Sequence, residues 1–178
     1  KGYKSFTNKI WNAANFLNIN QVLFIDSLDN EKISLDTSKW ILKEYQNVQA
    51  EYFKNIEKYQ FHEIASLIYH FTWHTFCDWY IEFIKSDFAN DEKSEETKKV
   101  SGWIFIQILK LLHPIMPFIT EKLWLSLVDS QSFLMSQNFT KITFDDSFNK
   151  SNKYTKKVIE VMTALRNLRA NLNISYKN

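Results

Sequence analysis

Glycine is nearly missing from this sequence. Its 178 residues include only Gly2 and Gly102, where an average protein has about 7% glycine. Phosphate cradles made of backbone amides need several glycines in one tight turn. No Rossmann fingerprint, Walker loop or Gly-x-Ser-x-Gly elbow can be written with these two. A glycine-loop nucleotide site is therefore excluded, and with it the known small-molecule chemistries built on such loops. Cysteine is scarcer still: Cys77 is alone, which excludes an internal disulfide and favours a reducing, cytoplasmic setting. No apolar run approaches the ~18 residues of a membrane span, and no signal peptide is legible, so no membrane partner is expected. The chain opens on Lys1 rather than Met and enters a helical pattern almost at once. That reads as a segment cut from a longer protein.

What is present is apolar and aromatic: 45% of residues are hydrophobic and 16% carry Phe, Trp or Tyr. That is enough for the core of one domain. The net charge is only +2, but it is unevenly spread. Residues 1–19 hold Lys1, Lys4 and Lys9 and no acid, while residues 151–178 hold six basic residues and one acid. The stretch between them holds 13 basic and 19 acidic residues. If the first and last helices lie side by side, they form a positive surface on an acidic body, the footprint of a polyanion binder. The alternative is surface lysine scattered without function.

Helical spacing dominates the chain. A first helix is expected over about 3–19, followed by a polar, strand-like connector. Asp36-Thr37-Ser38 reads as an N-cap cluster opening a helix to about residue 58. A third helix is expected over about 61–85 and a fourth over about 94–112. Pro114 should end the fourth at His113, and Pro117 suits the first turn of a fifth, over about 117–128. Residues 129–150 look irregular. A last helix is expected over about 151–173, with Val158, Ile159, Met162, Leu165, Leu168 and Leu172 as its apolar positions. The sum is an all-α antiparallel bundle of about five to six helices. Its body is residues 1–150, and a basic last helix over 151–178 leads toward a further linker or coiled coil.

His70, His74, Cys77 and Asp78 fall one helical turn apart, a spacing that a metal half-site would use. The tract is also dense with Phe71, Trp73, Phe76, Trp79 and Tyr80, so core histidines and a core cysteine are the reading adopted. Glu63, Asp78, Glu82 and Glu121 read as surface or salt-bridge carboxylates. No catalytic residue and no metal ligand is assigned.

The stretch "NKIWNAANF" offers more. Phe6, Ile10, Ala13 and Leu17 share the core face of the first helix at roughly 100° per residue. Phe16 points about a quarter turn away, with Lys9 and Asn12 beside it and Asn15 on the same non-core side. Amides and lysine read base edges and phosphates, and a ring offers a stacking plate for an unstacked base. Alternatively, Phe16 packs on the connector at 20–28. In the last helix Arg166, Asn167, Arg169 and Asn173 offer a comparable set.

Five segments, "GYKSFTNKIWNAANF", "SKWIL", "YQFHEIASLIYHFTWHTFCDWYIEFIK", "LLHPIMPFITEKLW" and "LRNLRANLNI", occur in this order. Together they resemble the anticodon-binding helical domain of the valyl-tRNA synthetases, which are class I aminoacyl-tRNA synthetases. The resemblance covers most of the chain and is weakest over 20–35, 86–100 and 129–150. "WHTFCDWY" and "HPIMPFITEKLW" are its most specific pieces. It implies a full enzyme that activates valine with ATP and magnesium and transfers it to valine tRNA. A separate editing domain would remove threonine, because an apolar pocket rejects an added hydroxyl only by roughly a hundredfold. This stretch would carry no cofactor, and both signature segments of the class I ATP site, His-Ile-Gly-His and Lys-Met-Ser-Lys-Ser, are absent from it. Its partners would be the valine tRNA anticodon loop and the catalytic and editing domains of the same chain, in a monomer. Carried over residue by residue, the RNA-binding positions are Lys9, Asn12, Asn15 and Phe16, with Arg166 and Arg169 from the basic C-terminal run and Tyr3 and Lys4 flanking. Family members often have arginine where this sequence has Asn15, so the charge is lost there and an amide remains.

Overall fold

The computed structural model describes residues 2–29, 32–128, 132–139 and 142–172. Six helices make up the bundle, and among the described residues there is no strand. Helix α1 spans Gly2–Ile19 and α2 spans Asp36–Glu57. Helix α3 starts as an α-helix over Phe61–His70, passes into a π-helical segment over Phe71–Tyr80 and ends as an α-turn over Ile81–Ile84. Helix α4 spans Asp91–Leu112, α5 spans Pro117–Leu127 and α6 spans Ser147–Asn171. Short 3₁₀ turns lie at Asp87–Ala89 and Leu134–Ser136.

Helix α4 is the axis. Every residue from Val100 to Leu112 is buried, so the helix is covered all round rather than on one stripe. Such burial requires that its polar members be satisfied. Lys110, only 3% exposed, donates to both carboxylate oxygens of Asp26 at 2.8 and 2.7 Å and to the Asn138 carbonyl at 3.2 Å. Gln107 donates to the same carboxylate at 2.9 Å. Asp26 belongs to the connector after α1, so this pair also fastens that connector. Gly102 lets it approach. A Cβ there would meet the Leu23 carbonyl oxygen at 2.0 Å and Val22 Cγ1 at 2.9 Å.

Several expectations shift by physical causes. The described connector residues, 20–29 and 32–35, form no strand: Val22 N bonds back to the Leu17 carbonyl, and Asp26, Ser34 and Leu35 bond to side chains of α4. The Asp36-Thr37-Ser38 cluster does not cap α2. Its N-cap is Leu35, without a side-chain bond. Glu96 of α4 does the work instead, accepting from Ser34 N at 3.0 Å and Leu35 N at 2.9 Å. Helix α4 begins at Asp91 rather than near 94, capped by Asn90, whose side chain accepts from Glu92 N and Lys93 N. Helix α6 begins at Ser147, inside the stretch expected to be irregular. It packs chiefly on α2, where Asn152 donates to Glu44 at 2.6 Å and Ser151 to Asp36 at 2.6 Å. Of the six apolar positions named for it, Leu165, Leu168 and Leu172 are exposed. Asn173 lies outside the described residues, as does the side chain of Tyr3.

Candidate nucleic-acid interface

Helix α1 is amphipathic in one direction only. Phe6, Ile10, Ala13, Ala14 and Leu17 are buried, as the spacing predicts. Its outward face carries no acid anywhere in the helix. Asn8, Asn12 and Asn15 are exposed there, with Lys4 at one end. Trp11, at 40% exposed, stands among them. This indole was not picked out from the sequence, although Lys4, Asn8, Trp11 and Asn15 follow a three- and four-residue rhythm that places them in one row.

Phe16 is half-buried. It meets Phe88 edge-on at 5.8 Å between centroids, so the 3₁₀ turn after α3 is one of its packing partners. Lys9 is held more firmly than its place on a polar flank suggests. Its ammonium donates to Asp78 Oδ1 at 2.7 Å and lies 5.3 Å from the Trp73 ring centroid. Asp78 Oδ2 is 3.2 Å from His74 Nδ1.

The two basic ends do not meet as a packed pair of helices. They converge instead on consecutive residues of the π segment. Lys9 takes Asp78, and the exposed Arg166 of α6 places its guanidinium 4.6 Å from the Trp79 ring centroid. Arg169, one turn on, is partly buried. The π geometry explains the adjacency. An i→i+5 pattern buries Phe71, Phe76 and Ile81, and likewise Thr72 and Cys77, at steps of five. Asp78 and Trp79 are left at the edge of the buried row, partly exposed.

The histidines expected in the core are outside it. His70, the last residue of the α-helical part, and His74 in the π segment are exposed and stack on each other at 5.4 Å. Cys77 is buried as expected, and burial pushes its thiol up to about 12. It is protonated at neutral pH and therefore a poor nucleophile. The carboxylates read as salt-bridge or surface groups are such: Asp78 holds Lys9, Glu82 pairs with Lys85, and Glu121 accepts from Leu134 N at 2.9 Å.

What the arrangement can do chemically is bind, with amides that donate and accept, rings of two accessibilities and cations held at fixed points. The family model for the anticodon-binding domain of tRNA ligase matches residues 38–178. The chain is 39% identical to a valine–tRNA ligase of Pelagibacter ubique, with 98% of this chain and 20% of that protein covered. It is 38% identical to a valine–tRNA ligase of Buchnera aphidicola, covering 98% and 19%, and 34% identical to one of Syntrophotalea carbinolica, covering 97% and 20%. The chain thus spans about a fifth of the length of the curated relatives it matches. By the extent of the family match, this chain belongs to the anticodon-binding domain family of tRNA ligases.

Proposed function

We propose that the chain is the anticodon-binding domain of a valine–tRNA ligase and that it grips the anticodon loop of valine tRNA. The observation that carries this is the acid-free outward face of α1, where Asn8, Asn12 and Asn15 surround an exposed indole. An asparagine amide presents a donor and an acceptor together, which suits a base edge, and a ring stacks on a splayed base. Phe16 offers one plate and Trp11 a more accessible second. Lys9 spends one N–H on Asp78 and keeps two donors for a phosphate. Arg166 and Arg169 supply charge from the C-terminal side. Valine anticodons share their second and third letters, so those two bases are the ones read.

In the full-length ligase the domain orients tRNA, while ATP-dependent activation of valine, with magnesium, and editing of threonine take place in other domains. Neither glycine of this chain makes a phosphate cradle: Gly2 opens α1 and Gly102 is pressed against the Leu23 carbonyl. The ligase acts as a cytoplasmic monomer. The test is a titration of this chain with a valine-tRNA anticodon stem–loop and with the same stem–loop altered at the second anticodon base. Tighter binding of the unaltered loop is expected. No binding even at low salt, or equal binding of both loops, would overturn the reading.

A further inference from the structure

Asp78 serves two partners. Its Oδ1 accepts from the Lys9 ammonium at 2.7 Å, and its Oδ2 lies 3.2 Å from His74 Nδ1. One carboxylate thus joins the α1 face to the π segment beside it. The charges decide what this trio offers to RNA. With His74 neutral, Lys9 and Asp78 cancel and the trio carries no net charge. With His74 protonated, it carries one positive charge.

The hydrogen bond also sets what the ring presents outward. A neutral imidazole that turns Nδ1–H to a carboxylate leaves Nε2 as a bare acceptor. His74 is exposed, and a lone pair there repels a phosphate oxygen. Protonation makes Nε2 a donor and the ring a cation, the form that holds a phosphate. Lys9 keeps two donors only one carboxylate's width away, so a phosphate on Lys9 has His74 within reach. Imidazole is the side chain whose charge changes between about pH 5 and 8, a range in which phosphodiesters stay charged.

The other neighbours of His74 do not supply that charge. His70 stacks on it at 5.4 Å and Tyr69 meets it edge-on at 6.1 Å. Cys77 is protonated, and Glu82, one turn beyond Asp78, pairs with Lys85. From α1 come Lys9 and, nearer its start, Lys4. His70 itself lines a groove with Glu51, Lys54 and Lys58 of α2 and Glu63 of its own helix. Two imidazolium rings in one stack would repel, so the stack suits a single added charge. Among the described residues no three His, Cys, Asp or Glu side chains gather as metal ligands, which leaves the proton as the cation this arrangement can take.

We propose that His74 is a proton-dependent phosphate contact, held by Asp78 beside Lys9, so that RNA and a proton favour each other's binding. This rests on the reading of α1 as an RNA-binding face. By linkage, whatever factor a proton adds to RNA affinity, RNA adds to proton affinity.

The experiment titrates this chain with the valine-tRNA anticodon stem–loop at about pH 8 and about pH 5.5, each over a range of salt. Affinity is expected to rise by about two- to fivefold at the lower pH, the scale of one partly exposed ion pair. The salt dependence should steepen by about one phosphate contact. His74→Gln should bind alike at both pH values, and His74→Lys, a fixed cation, should bind at the higher pH as the unaltered chain does at the lower. His62→Gln, at the opposite end of α3, should follow the unaltered chain. Melting temperatures at both pH values establish that each variant is folded. A pH dependence that survives His74→Gln would overturn the proposal, as would one abolished by His70→Gln alone. Stem–loop binding that is flat with pH removes this contact and keeps the anticodon reading; no binding at either pH removes both.

Discussion

Lys9 is fixed by two different forces, an ion pair at 2.7 Å and an indole 5.3 Å away. Both partners are partly exposed, so the pair adds little to stability, about 1 kcal/mol or less. Its effect is to hold a cation in one place. Lys9→Ala should therefore leave the melting temperature nearly unchanged while reducing the salt dependence of stem–loop binding by about one phosphate contact. An unchanged salt slope would remove Lys9 from the RNA interface. Phe16 differs because it has a structural duty as well. Phe16→Ala should weaken stem–loop binding by about 1–3 kcal/mol and also cost stability, since the ring packs on Phe88. Phe88→Leu disturbs the same packing from the other side and should leave RNA affinity intact. If both variants lose stability alone and neither loses affinity, Phe16 is a packing residue only.

At the level of helices, Gly102 tests how the connector is held. In an isolated helix, Gly→Ala gains about 1 kcal/mol. Here the new methyl would enter the Leu23 carbonyl, a backbone atom that cannot swing aside. Gly102→Ala is expected to lose about 1–3 kcal/mol as an overpacked site, read as a lower urea midpoint. A stabilised variant would show the connector to be loosely seated. The same elements explain what the sequence could reveal. The core face of helix α1 was legible because Phe6, Ile10, Ala13 and Leu17 recur at helical spacing and the bundle covers that face. Helix α6 has equally clear periodicity, yet Leu165, Leu168 and Leu172 are exposed. Periodicity reports that a face is apolar, not what lies opposite. The exposed positions of Asn12 and Asn15 followed from the same geometry. The hold of Asp78 on Lys9, across 69 residues of sequence, and the π segment that follows His70 did not. Both depend on tertiary neighbours that local spacing does not encode.

The molecule as a whole is built to keep its buried acids protonated. Burial pushes Cys77 up to about 12 from an ordinary value of 9.0, and it pushes Tyr45 and Tyr80 up as well. Once unfolded, these groups give up their protons nearer their ordinary values, so above about pH 9 the unfolded state releases protons that the fold retains. Their contribution is complete below that pH and declines as pH rises toward the folded values. A urea midpoint that falls steeply between about pH 9 and 11, and less steeply in Cys77→Ala, is the expected result. A midpoint flat across that range would contradict it. The contacts of Asp78 and Trp79 have one last consequence, which is mechanical. Lys9 belongs to the first helix and Arg166 to the last, and they fasten to neighbouring residues of a single turn. The first and last helices are thus each tied to that one turn at the surface, beside the apolar interior in which α1 is seated.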